Sequence, residues 1–105
     1  MDSTFNERMT MLEKVIEKKV TAYAVSLGWD SYKFVSPNNR GVCDRIYLMQ
    51  GRTIFVEFKA EGKKPTKLQH RHHQKLRAQG FTVYVIDNVD EGRRIFEYET
   101  SVHKS

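Results

Sequence analysis

The 105 residues contain one cysteine, Cys43, so no internal disulfide can form, as expected of a chain kept in a reducing cytoplasm. Only two prolines occur, Pro37 and Pro65, and both fall in turn-rich stretches at 36–41 and 61–65. No apolar run approaches the roughly 18 residues that a membrane span requires. Residues 1–7 carry no apolar signal core, which argues against secretion. Internal repeats, low-complexity tracts and linkers are also lacking. One domain over residues 1–105 is therefore expected, with room for a single modest core.

Charge is what the chain has in excess. The formal net charge is +5 and the sequence pI about 9.4. Of the 18 Lys and Arg residues, seven lie between Lys59 and Arg77. Charge alone favours a solvated helix face, but the position of the block beside Asp44, Glu57 and Lys59 points to a polyanionic partner held by phosphate contacts.

Hydrophobic spacing divides the chain into elements. Leu12, Ile16, Val20, Ala24 and Leu27 form a helical stripe over 4–27, with Gly28 as its stop. Residues 29–35 read as a short strand. Residues 42–49 and 53–60 read as a hairpin around Gln50-Gly51, with Asp44, Ile46, Leu48, Phe55, Glu57 and Lys59 on one face and Cys43, Tyr47, Ile54, Val56 and Phe58 on the other. Strands apolar on both faces belong inside a covered sheet. Thr66-Lys67-Leu68-Gln69 has capping-box form and opens a helix to Gln79, stopped by Gly80; a strand over 81–86 follows. Residues 95–98 fit a helical turn or an edge strand. The expected order is α-β-β-β-α-β, an α/β fold with a small mixed sheet flanked by helices.

The hairpin carries the chemistry. A two-residue loop at Gln50-Gly51 sets Asp44 opposite Glu57, with Cβ atoms roughly 4.5–5.5 Å apart. Lys59 shares the face of Glu57. Two carboxylates and an ammonium on one patch suit phosphodiester hydrolysis. Asp44, Glu57 and the backbone carbonyl of Phe58 offer the hard oxygens that Mg²⁺ prefers, and Lys59 can orient water or balance charge. Glu17 is the favoured third acid, lying about 20° around the first helix from Ala24. Glu13 shares its side of the helix one turn further out and is the weaker candidate.

Gly41-Val42-Cys43-Asp44-Arg45-Ile46, then Phe55-Val56-Glu57-Phe58-Lys59, then Gln69, and finally Gly80 with Val83-Tyr84-Val85 resemble the VRR-NUC family of the PD-(D/E)XK nuclease superfamily. The resemblance runs from about residue 12 to 87. It implies a restriction-endonuclease-like core and a Mg²⁺- or Mn²⁺-dependent endonuclease, often of phage or prophage origin, acting on branched DNA such as a Holliday junction. It further implies that Asp44 and Glu57 ligate the metal, Lys59 is the catalytic lysine, Glu17 the helix acid and Gln69 the glutamine after the Glu-x-Lys strand. One position departs from the family pattern. Cys43 stands where proline is usual, which loosens the turn and leaves a thiol beside the metal position.

The remaining polar residues are weighed individually. Lys33, Asn39, Arg40, Lys63, Lys64 and Arg71 are candidate DNA contacts, and Gln69 is either close to the site or only a cap. His70, His72 and His73 lack the i, i+4 spacing of helical zinc pairs and read as groove-facing or partly buried helix histidines. Tyr23, Tyr47 and Tyr84 read as core or interface. The expected protein is a structure-selective DNA endonuclease working as a homodimer in the phage or bacterial host cytoplasm, with a helicase or replication protein as a conceivable partner. The rival is a non-catalytic or partner-dependent DNA-binding module of the same fold.

Overall fold

A computed structural model describes residues 3–34 and 43–104. The loop at 36–41, with Asn38, Asn39 and Arg40, lies outside the described residues, as do Val35 and Val42. The elements run α1 (Ser3–Ser26), β1 (Asp30–Lys33), β2 (Arg45–Met49), β3 (Arg52–Phe58), α2 (Lys67–Ala78), β4 (Thr82–Ile86) and α3 (Val89–Lys104). The sheet order is β1-β2-β3-β4; β1 to β3 are antiparallel, and β4 lies parallel to β3 after the α2 crossover.

Local chemistry accounts for the boundaries. Gln50 and Gly51 both take positive φ, 48° and 84°, the twist a two-residue hairpin needs. Every β2–β3 pair then sums to 101, from Arg45 with Val56 to Met49 with Arg52. At α2 the Thr66 hydroxyl accepts from the Gln69 N–H while the Gln69 side chain accepts from the Thr66 N–H, so the expected capping box is present.

The sheet is covered on both faces. Ile16, Val20 and Ala24 of α1 and Phe96 of α3 pack with Trp29, Tyr47, Ile54, Val56, Phe58 and Ile86. On the other face Phe55 and Val83 meet Leu76 of α2, together with Phe34, Ile46 and Cys43. Cys43 thus lies across the sheet from Tyr47, contrary to the alternation expected from sequence. The reason is local: β2 begins only at Arg45, and the bend at Asp44 breaks the strand period before Cys43.

The tail is helical. Asn88 caps α3 by accepting the Glu91 N–H at 2.7 Å, and residues 95–98 fall inside the helix. A Cβ at Gly92 would stand 2.5 Å from Val20 Cγ2, so α3 approaches α1 only because this residue has no side chain. Gly92→Ala is therefore expected to lower stability by about 1–3 kcal/mol despite alanine's better helix propensity, read as a lower midpoint in chemical denaturation.

Candidate active site

The end of the sheet where β2 begins and β3 finishes gathers the acids. Asp44 is held by backbone on both sides: its N–H donates to the Val56 carbonyl at 3.0 Å and its carbonyl accepts from the Phe34 N–H at 2.9 Å. Its Oδ2 accepts from the Phe58 N–H at 2.6 Å, which draws the carboxylate over the last residues of β3. Glu57 is 2% exposed and hydrogen-bonds to Asp44.

Burial pushes the Glu57 carboxyl up to about 9, and the Asp44 charge and hydrogen bond push the same way. Burial raises Asp44 too, against the Phe58 N–H that favours its charged form. Burial thus raises both carboxyls of the hydrogen-bonded pair, Glu57 far enough to hold its proton at neutral pH. Lys59 is partly buried just beyond β3, with its N–H on the Ile86 carbonyl at 3.0 Å. Its ammonium lowers the carboxyls of Glu13, Asp44 and Glu57 alike, so Lys59 faces the whole cluster.

The two helix acids are used differently. Glu17 is ion-paired to Arg45, Oε2 to Nε at 2.5 Å, and Arg45 reaches on to the Ser31 hydroxyl at 3.2 Å. Its charge still reaches Asp44, but the guanidinium holds its carboxylate. Among the described residues, Glu13 has no such ion pair. Burial first and the Asp44 charge second raise its carboxyl, and its own charge bears on Glu57. Its signal was present in the sequence: Glu13 lies about 20° around the helix from both Val20 and Ala24, so it continues the buried stripe toward the N-terminus.

Two further groups line the cluster. His73 is fully buried in α2, and burial, with the Arg77 charge next, lowers it to about 4, so the ring is neutral. Its Nε2 stands 3.6 Å from Glu57 Oε1. Cys43 is fully buried beside both, and burial pushes its thiol up to about 12. Sequence reasoning placed His73 in a groove or partly inside. Yet Gln69, His73 and Leu76 follow i, i+4, i+7 spacing along the inner side of α2, and that signal would have buried it.

The other candidates are spread around this cluster. The Gln69 side-chain oxygen accepts the Thr66 N–H and serves the α2 cap. Lys33 ends β1, exposed, and lines a groove of about 450 Å³ with Lys14, Lys18, Glu17 and Arg45. Lys63, Lys64 and Arg71 are exposed; the Lys63 ammonium sits 5.6 Å from the Phe5 ring centroid. Asn39 and Arg40 lie outside the described residues.

The donors fit a divalent cation. Among the described residues, Glu57 Oε1 is a buried oxygen with no hydrogen-bond partner, beside the Asp44 carboxyl. Carboxylate oxygens converging without a lysine or arginine bonded to them form the hard, anionic donor set Mg²⁺ and Mn²⁺ take. The same packing is expensive without a cation, because two carboxyls cannot both ionise there.

No family profile matches the chain. An inferred nuclease, p44, of Acyrthosiphon pisum secondary endosymbiont phage 1 is 48% identical over 79 residues, covering 74% of this chain and 85% of the relative. A VRR-NUC domain of known structure matches with a TM-score of 0.75 at 28% identity, over 81% of this chain and 94% of that domain. The mixed four-stranded sheet and its flanking helices are thus a restriction-endonuclease-like fold. Resemblance in sequence and overlay in structure agree, and the chain belongs to the VRR-NUC nuclease family of the PD-(D/E)XK superfamily.

Proposed function

We propose that this chain is a divalent-metal-dependent DNA endonuclease that hydrolyses phosphodiester bonds, with a preference for junction or flap DNA, in phage or prophage replication and repair. The carrying observation is buried Glu57 hydrogen-bonded to partly buried Asp44, with Lys59 at the strand end, a cluster that is costly without a cation. Asp44, Glu57 and the Phe58 carbonyl would hold Mg²⁺ or Mn²⁺. Such an ion supplies charge neutralisation on the phosphate and an acidified water when bound.

The chain's own residues do the remainder. The Phe58 N–H keeps Asp44 ionised and aimed. Glu57 gives up its proton as the site fills. Lys59 orients the attacking water and balances charge on the phosphate oxygens. Glu13 is the acid that closes the cluster from α1 and hydrogen-bonds that water, while Glu17 fixes Arg45 on the wall of the adjoining groove. Glu13→Gln is accordingly expected to slow single-turnover cleavage on the order of 10²-fold. Glu17→Gln is expected to slow it far less and to lower stability by about 1 kcal/mol, because Arg45 loses its partner. The reverse ranking would return the role to Glu17.

The basic groove of Lys14, Lys18, Lys33 and Arg45, with exposed Lys63, Lys64 and Arg71 beyond the site, supports binding through phosphates and DNA shape. Paired cuts at a junction call for a homodimer, the commonest symmetric assembly. Cleavage of a labelled four-way junction, a flap and a linear duplex of matched sequence tests this reading, with light scattering on the same protein. A roughly tenfold or larger preference for branched DNA and a mass of two chains are expected. Equal rates on all three substrates remove the branch preference, and a 12.4 kDa species alone removes the dimer.

A further inference from the structure

The hydrolytic reading draws on Glu57 and leaves both ring nitrogens of the neighbouring His73 unexplained. Among the described residues, the buried side-chain atoms without a hydrogen-bond partner are Glu57 Oε1, His73 Nδ1 and His73 Nε2. Buried polar groups are nearly always hydrogen-bonded, so unpaired atoms of two residues meeting at one point call for a ligand. They come from β3 and α2, and Cys43, just before β2, stands with them. One ligand atom from each of Cys43, Glu57 and His73 lies within 4.8 Å of the others, and the three residues are 0%, 2% and 0% exposed.

We propose that Cys43, Glu57 and His73 form a second cation site, suited to a borderline-soft ion of the zinc class, that competes with the hydrolytic metal for Glu57. The distances carry the argument. His73 Nε2 and Glu57 Oε1 are 3.6 Å apart, beyond a hydrogen bond. Two ligands on one tetrahedral zinc ion, at roughly 2.0–2.2 Å from it, stand roughly 3.4 Å apart, so this pair is already at ligand spacing. The donors carry the selectivity. A sulfur and an imidazole nitrogen are poor partners for Mg²⁺ and good ones for Zn²⁺ or Co²⁺. Three protein ligands leave a fourth position open, the pattern of exchangeable rather than purely structural zinc. Binding converts the Cys43 thiol to a thiolate and releases its proton to solvent.

The cation site stands on these atoms alone; the competition rests on the proposed role of Glu57. An ion on Glu57 Oε1, held toward His73 and Cys43, withdraws that carboxylate from Asp44, with which it is hydrogen-bonded. Zinc then inhibits cleavage supported by Mg²⁺.

The test is titration of the EDTA-stripped full chain with Co²⁺, read as the sulfur-to-cobalt charge-transfer absorption. One equivalent per chain, displaced by Zn²⁺ and not by Mg²⁺, is expected. Cys43→Ser should abolish the band, and His73→Gln should weaken affinity by at least the roughly 10–100-fold that loss of a lesser, outer-shell partner costs. Circular dichroism of both variants controls for folding. X-ray absorption on the zinc-loaded wild-type chain needs no variant, and should show one sulfur at roughly 2.3 Å. A band that survives Cys43→Ser, or a zinc shell without sulfur, overturns the site. In cleavage, Cys43→Ser should escape zinc inhibition when measured against its own zinc-free rate in Mg²⁺; fractional inhibition equal to wild type refutes the sharing of Glu57. If the band appears but no metal supports cutting, the nuclease reading fails and the cation site stands.

Discussion

Glu57→Gln is expected to raise the melting temperature of the metal-free protein at pH 8 by roughly 10 °C while abolishing DNA cleavage. The sign follows from the direction of the shift. The Glu57 carboxyl lies at about 9 in the folded chain against 4.5 as a free group. A group raised on folding adds stability that is complete below its unfolded pKa and is lost as pH climbs through the folded one. Asp44 and Glu13 are raised as well and act with the same sign, starting from lower pH. His73 runs the other way. Lowered from 6.5 to about 4, it adds stability that is complete above 6.5 and lost as pH falls toward 4. Below pH 6.5 the opposing groups partly cancel; from about 6.5 to 9 His73 no longer opposes, and the Glu57 term falls as pH rises. Two pH units in that window are worth at most about 2.7 kcal/mol for one proton. Glutamine keeps the shape and removes the slope. Thermal melts in EDTA across pH 6.5–9 check this, and a wild-type profile that stays flat would mean Glu57 is not held protonated. Mg²⁺ should flatten the wild-type slope, because the cation stabilises the ionised form, and should do little for the variant.

Lys59→Ala is expected to slow cleavage on the order of 10³-fold with stability nearly unchanged. Lys59 is only partly buried, and its backbone N–H, not its ammonium, closes the sheet onto Ile86. Its loss therefore removes a charge beside Asp44, Glu57 and Glu13 without opening a core cavity. The Mg²⁺-induced rise in melting temperature should persist, since the carboxylates remain. Arginine should not restore the rate, because a planar fork does not replace a compact ammonium at one point. A variant that cuts normally would make Lys59 a charge that merely tempers the acids.

Much of this arrangement was legible in the residues, wherever one local rule governs. Gln50-Gly51 fixed the hairpin register, and the register alone set Asp44 against the end of β3. Thr66 and Gln69 announced the start of α2. Other features depend on tertiary context. The α3 stripe of Val89, Gly92, Phe96, Glu99 and Thr100 hides its helical period, because its buried members include a glycine, an acid and a threonine. Glu99 is tolerated there because Arg52 and Tyr84 hold it, partners no spacing rule predicts. Both Glu13 and Glu17 border the buried stripe by angle, with Glu17 the acid the sequence favours. What separates them is Arg45, which reaches Glu17 only once β1 and β2 are paired. Cys43 lies on the other face because β2 begins at Arg45, three residues later than the expected start at residue 42.

The most direct measurement is cleavage of a labelled four-way junction by the purified chain in Mg²⁺ or in EDTA, with Lys59→Ala alongside. Cutting in Mg²⁺ that stops in EDTA and falls on the order of 10³-fold in the variant is the expected result. Binding of the junction without cutting in Mg²⁺ or Mn²⁺, or cutting that continues unchanged in EDTA or in Lys59→Ala, would contradict a metal-dependent site built on Asp44, Glu57 and Lys59.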